Sequence, residues 1–164
     1  MSNTLDPTTY RSEKKQRSIL CRVDYSRSLD TLIRQHFMVK ADLECIIKLL
    51  PHYEDAEPTD GEITLCFGLI KPARDTKTQI ILEECESRGR PATLREVLLL
   101  LRHKRYRSLK KKIAIIKWHP AGLPLMLLAY WYDRAWRLRA SLPNTVWRAH
   151  YRYEFAFVQE QLVC

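Results

Sequence analysis

Alternating apolar and polar residues predict strands at several places along the chain. Residues 18–25, SILCRVDY, alternate in this way, and residues 63–70, ITLCFGLI, place every second apolar side chain on one side. Residues 79–86 (QIILEECE) and 112–119 (KIAIIKWH) are typical of two further strands. Residues 147–157 alternate apolar and aromatic residues with mostly charged ones, which predicts one strand with a buried face and a charged face.

Apolar residues spaced three and four apart predict helices between these strands. Ser28 is placed to cap a helix through LDTLIRQHF, and the apolar positions of residues 39–50 fall on one helical face that ends before a proline. The clearest helix is LREVLLLLR, because Thr93 and Glu96 form a capping box ahead of it. Residues 123–138 have no decisive period, and both a helix and an extended segment stay open.

This order of elements predicts an α+β fold. We expect one compact domain over residues 18–164, with a small, mostly antiparallel sheet packed with two to four helices. Residues 1–17 are polar and basic and are expected to form a flexible arm.

The charge of the chain indicates an anionic partner. The 164 residues include 28 Lys and Arg against 19 Asp and Glu, which gives a formal net charge of +9. Five widely spaced cysteines without a local partner pair indicate reduced thiols in a cytosolic or nuclear compartment. The N-terminus lacks the apolar core of a signal peptide, and the longest apolar run, Leu123 to Tyr132, is too short to span a bilayer as a helix.

Most of the excess positive charge is concentrated in residues 102–112, which we call the cationic block. It contains no acidic residue, and its cations are Arg102, Lys104, Arg105, Arg107, Lys110, Lys111 and Lys112. Cations at the end of a helix oppose the negative end of its dipole, which explains Arg102 and Lys104. The other five are expected in a loop, where they repel one another unless something anionic neutralises them. We therefore predict a polyanion-binding loop, in contact with RNA, a nucleocapsid or an anionic membrane surface.

Two other groups of residues are candidates for an interface. The acidic loop of residues 51–62 either faces water or docks on the basic loop of another copy of the chain, and its candidate residues are Glu54, Asp55, Glu57 and Asp60. Trp118, Trp131 and Trp136 accompany arginines and fit an interface as well as a core.

Motifs for catalysis are missing from the sequence. The chain has only four glycines, no phosphate-binding glycine loop and no nucleophile motif, and its histidines are scattered. We therefore expect a protein that is not an enzyme and needs no cofactor and no metal.

The order of strands and helix over residues 63–119, with ATLREVLLLLRHK followed by KKIAIIKWH, resembles the matrix proteins of rhabdoviruses and their matrix-like accessory proteins. The chain lacks the PPxY-type budding motif of many animal-virus members. The resemblance implies a non-enzymatic viral protein that self-associates in the host cytoplasm, in the nucleus or at the inner face of a membrane. An alternative is a host-directed accessory protein. In that case Lys104-Arg105 and residues 110–112 would form a two-part signal for a nuclear import factor, and the aromatic C-terminal half would bind host proteins.

Overall fold

A computed structural model describes residues 18–36, 48, 61–107, 112–118, 124–141 and 146–159. The predicted basic arm (1–17), nearly all of the predicted helix over 39–50 and the acidic loop up to residue 60 lie outside this part of the chain.

The described residues form an α+β fold built on a curled, mostly antiparallel sheet, as predicted. Its main strands are β1 (Ile19–Asp24), β2 (Glu62–Ile70), β5 (Lys112–Trp118), β6 (Pro124–Tyr132), β7 (Ala135–Ser141) and β9 (Tyr153–Val158). They are ordered β1-β2-β9-β5-β6-β7, and the short strand β4 (Arg90–Pro91) also pairs with β9. The pairing of β5 with β9 is parallel, and two short strands, β3 (Thr76–Lys77) and β8 (Val146–Trp147), form a separate pair.

Two of the described helices begin directly after a residue whose side chain caps them. Helix α1 (Leu29–His36) begins after Ser28, whose Oγ accepts a hydrogen bond from the Thr31 backbone at 3.2 Å. Helix α3 (Leu94–Arg102) has the predicted capping box between Thr93 and Glu96. The short helix α4 (Lys104–Arg107) follows directly.

Residues 79–86, predicted as a strand, belong instead to helix α2 (Thr78–Arg88), so this prediction was wrong. Its buried residues Ile81, Leu82 and Cys85 have the spacing of one helical face, and Glu84 pairs with Arg88 one turn later. The helix ends at Gly89, which has a positive φ and lies so close to the Val158 carbonyl that a side chain would collide with it.

The undecided segment 123–138 contributes to a hairpin of β6 and β7. Asp133 and Arg134 between them both have positive φ, as a two-residue hairpin turn requires. This turn sets the register in which Tyr132 faces Ala135 and Tyr130 faces Arg137.

The single strand predicted over residues 147–157 is also incorrect. It is interrupted by a 3-10 turn (Ala149–Tyr151) and by Arg152, whose left-handed backbone redirects the chain into β9. Strand β9 is central in the sheet, and all of it except the half-buried Tyr153 is buried, including Glu154. It therefore has no charged, solvated face.

The sheet has two different faces. The α3 face lies beneath α1, α3 and α4, and its core includes Phe67, Ile113, Leu127 and Leu138. The α2 face carries a smaller core formed by residues of α2 with Trp147 and Phe155 and with residues of β5 and β6. This smaller core does not extend over the whole α2 face, and the part that the described helices leave uncovered forms the candidate site.

Candidate functional site

The structure divides the cationic block between two places. Arg102 is the exposed last residue of α3, and Lys104 is the exposed first residue of α4. Lys112 is exposed at the start of β5. Lys110 and Lys111, and the side chains of Arg105, Arg107 and Trp118, lie outside the described part of the chain.

The aromatic residues nearest to the block lie in the core. Tyr106 has an exposed fraction of 0%, and its ring stacks on Trp136 with the ring centroids 6.3 Å apart. Trp131 is half-buried and meets Trp136 edge to face at 5.5 Å. The expectation that Trp136 belongs to an interface is therefore corrected, since its side chain packs beneath α4. Trp131 packs against this core as well.

A row of side chains on the α2 face carries the block's charge across the sheet. Lys112 of β5 pairs with Tyr153 of β9. On the other side of β5, Ile113 pairs with Ala129 of β6. The same register, extended by one residue, places Lys112 opposite Tyr130. Tyr130 in turn pairs with Arg137 of β7. Tyrosine and cation thus alternate over four neighbouring strands, a width of about 14 Å at the usual strand spacing. We call Tyr153, Lys112, Tyr130 and Arg137 the tyrosine–cation row.

Arg139 extends this row by one position along β7. Lys112 and Arg139 are exposed, while Tyr130, Arg137 and Tyr153 are half-buried. Because these side chains are only partly buried, the tyrosine rings and the charged ends of Lys and Arg stay accessible to a ligand. The aliphatic parts of the Lys and Arg side chains pack against neighbouring residues.

Several contacts fix Tyr153 within the row. The Lys112 Nζ lies 5.7 Å from the centre of the Tyr153 ring, and Trp147 packs edge to face against that ring at 5.5 Å. Burial raises the pKa of Tyr153, and the nearby Tyr130 raises it further while Arg139 lowers it.

The strands that carry the cations of the row contain no acid. Strands β5, β6 and β7 contain no Asp or Glu. Glu154 of β9 alternates with Tyr153 and so points to the α3 face, where it is buried. Near the 3-10 turn, Arg148 pairs with Asp75 at 3.7 Å, which balances that part of the surface.

A second charged group, the Glu96 cluster, has a structural role. The Glu96 carboxylate accepts hydrogen bonds from the Tyr25 hydroxyl at 2.5 Å, from the Arg90 guanidinium at 2.5 and 2.9 Å and from the Thr93 backbone at 2.8 Å. Arg95 donates to the carbonyls of Tyr25 and Arg27. Burial raises the pKa of Tyr25, as does its hydrogen bond to Glu96. The cluster therefore ties the end of β1 to α3.

The described residues bring together no group of three His, Cys, Asp or Glu side chains that could hold a metal. Cys21, Cys66 and Cys85 are free thiols. No helix within these ranges is long and apolar enough to cross a membrane.

Sequence reasoning missed Tyr130 and Tyr153, and it linked Arg137 and Arg139 only to nearby tryptophans. The acidic candidates Glu54, Asp55, Glu57 and Asp60 lie outside the described residues. The signal that could have revealed the row is the pair Asp133-Arg134, read as a two-residue turn that sets Tyr130 opposite Arg137.

Searches against protein-family models, curated proteins and solved structures found no match to this chain.

Proposed function

We propose that this chain is a non-enzymatic, matrix-like or accessory protein that docks on a phosphate-rich polyanion, either nucleocapsid RNA or an anionic membrane surface. The observation that carries the proposal is the open, positive part of the α2 face, where Lys112, Arg137 and Arg139 lie on strands without any acid. Phosphate groups are the natural partners of such a surface, since they neutralise several cations at once.

The cations of the row differ from several other described cations, which are paired with a carboxylate. Elsewhere, Arg22 pairs with Glu62, Arg34 with Asp30 and Arg88 with Glu84. Within the described ranges, no carboxylate lies within ion-pair distance of Lys112, Arg137 or Arg139. Arg102 and Lys104, at the junction of α3 and α4, add exposed positive charge to the same protein.

The polyanion proposal predicts a salt-dependent affinity that charge removal weakens. We would titrate fluorescent single-stranded RNA, and separately vesicles containing phosphatidylserine, at about 50 and 200 mM salt. The test variant combines Lys112→Gln, Arg137→Gln and Arg139→Gln. Each phosphate contact on a single strand contributes about 0.7 to the slope of log affinity against log salt, so the slope should become shallower by about 2.

A matched control removes the same charge elsewhere. It combines Arg22→Gln, Arg34→Gln and Lys77→Gln, which are all exposed and lie on β1, α1 and β3. The proposal expects this control to bind like the wild type. If both variants lost the same affinity, the effect would come from the net charge of the chain and not from the position of these three cations. Absence of binding to either ligand would contradict the proposal and favour a protein partner.

Self-association also stays a proposal. The docking of the acidic loop on the cationic block of a second copy involves residues 54–60, outside the described part of the chain. Sedimentation of the wild type at low and high salt tests it, because such a contact between opposite charges weakens with salt.

A further inference from the structure

The two tyrosines of the row lie at the margin of the smaller core, where each ring is only half-buried. The core of the α2 face includes Ala114, Leu128 and Phe155, the next inward positions on β5, β6 and β9. Tyr153 packs against the edge of this core, Tyr130 lies one step beyond it, and both remain half-buried. Their rings thus lie on the α2 face beside the edge of the core, and each ring has a cation next to it.

The spacing of the rings suits a chain that carries flat groups and charges in turn. Tyr130 and Tyr153 are two strands apart, which corresponds to about 10 Å, and Lys112 lies on the strand between them. Arg137 and Arg139 flank Tyr130 on its other side. Exposed Tyr151, whose ring centre is 6.3 Å from that of Tyr153, lengthens the aromatic surface.

We propose that the tyrosine–cation row binds single-stranded RNA, with bases stacked on Tyr130 and Tyr153 and phosphates held by Lys112, Arg137 and Arg139. This inference rests on the proposed polyanion-binding function and names its ligand. Aromatic rings on a sheet provide stacking surfaces for unpaired bases, and the cations between them follow the backbone.

The surface fits a single strand better than a duplex or a bilayer. In a duplex, the base faces are stacked on one another and cannot reach the tyrosines. Insertion into a bilayer is strengthened by large aliphatic side chains, which add buried apolar area. The exposed large aliphatic residues of the described part lie elsewhere, on β1, β2, α2 and β8: Leu20, Ile63, Ile80 and Val146.

The test separates stacking from charge by using ligands with and without unpaired bases. Binding of the full chain would be measured to a fluorescent single-stranded RNA of about 12 nucleotides. The same RNA as a duplex, inorganic polyphosphate and phosphatidylserine vesicles would be compared at one salt concentration. The test variant combines Tyr130→Leu and Tyr153→Leu, and the control combines Tyr130→Phe and Tyr153→Phe, which keeps both rings.

We expect the wild type to prefer the single strand to the duplex and to polyphosphate. Loss of stacking should lower the single-strand affinity of the leucine variant about 100-fold, or about tenfold for each ring, and leave its polyphosphate affinity within about twofold. The phenylalanine control should bind like the wild type. A leucine variant that binds the single strand unchanged, or loses both ligands equally, would overturn the stacking role.

Other outcomes distinguish this inference from the proposed function beneath it. If the wild type binds duplex or polyphosphate as well as the single strand, or binds the vesicles best, stacking is overturned while polyanion binding stands. If no ligand binds, both proposals fail. Because Tyr153 contacts Trp147, a leucine variant could misfold, so circular dichroism would accompany the titrations.

Photocrosslinking of the wild type to a 4-thiouridine RNA provides a measurement that needs no variant. Crosslinks at Tyr130 or Tyr153 are expected, and crosslinks confined to other described residues would contradict the assignment.

Discussion

The two faces of the sheet use aromatic and charged side chains in opposite ways. On the α3 face, Tyr106 is enclosed by hydrophobic residues, and the Glu96 carboxylate in the first turn of α3 is surrounded by donors. On the uncovered part of the α2 face, Tyr130 and Lys112 lie side by side without an acid on their strands.

This difference shows how a structural charge can be told from a binding charge. A buried carboxylate is tolerated when hydrogen bonds and an opposite charge compensate it, as Arg90 does for Glu96. Like charges that stay near water without a counter-charge contribute little to the fold, but they create a potential that attracts an anion. The two faces therefore differ in whether their charged groups have an opposite charge nearby, more than in how many charged groups they carry.

The largest effect that tests this comparison should come from the aromatic residues. Tyr106→Ala should lower the free energy of unfolding by about 4 kcal/mol, because it opens a cavity beneath α4 beside Trp136. Tyr132→Ala, at a position that is 65% exposed, should change it by less than about 0.5 kcal/mol. Urea unfolding of both variants measures the difference. If both variants lost only a small and similar free energy of unfolding, Tyr106 would not contribute to the core.

The next effect concerns the buried carboxylate. Glu96→Ala should cost about 3 kcal/mol in unfolding free energy, since it removes half of the capping box and leaves Tyr25 and Arg90 without their acceptor. Glu86→Ala on α2 is the matched control, because that carboxylate is exposed, and its effect should stay below about 0.5 kcal/mol. A comparable loss in the two variants would show that the Glu96 cluster adds no stability.

Much of the fold could be predicted because its signals are local. The capping box of Thr93 and Glu96 marks the start of α3, and alternation marks β1, β2 and β5. Residues 79–86 were assigned wrongly because four apolar residues among polar ones fit both a strand and a helix. The helix is favoured because its apolar residues are buried on one face and because Gly89 lies close to the Val158 carbonyl. Neither contact can be predicted from the local period of apolar residues.

The candidate site was harder to predict, because its residues come from four strands. The cationic block drew attention to residues 102–112, but the described structure connects Lys112 to distant tyrosines through the β5–β9 and β5–β6 registers. Register depends on the partners that each strand finds in the folded sheet. Tyr106 lies within the cationic block of the sequence, but its ring is buried in the folded chain.

The smallest predicted effect is the pH dependence of stability, whose sign follows from the Glu96 cluster. Burial favours the protonated carboxyl, but hydrogen bonds from Arg90, Tyr25 and the Thr93 backbone outweigh it, so the pKa of Glu96 is lowered. A carboxyl with a lowered folded-state pKa binds fewer protons in the folded than in the unfolded chain. Its stabilisation is therefore complete above its unfolded pKa, about 4.3, and is lost as the pH falls through the folded value.

We therefore expect the free energy of unfolding to fall on acidification below about pH 5, and to fall less steeply in Glu96→Gln. Urea unfolding between about pH 3 and 7 measures this difference, with Glu86→Gln as the variant that should follow the wild type. If the free energy of unfolding of Glu96→Gln falls as steeply with acidification as that of the wild type, carboxylates other than Glu96 control stability in acid. The compensation of Glu96 by its neighbours would then not explain the energetic difference between the two faces.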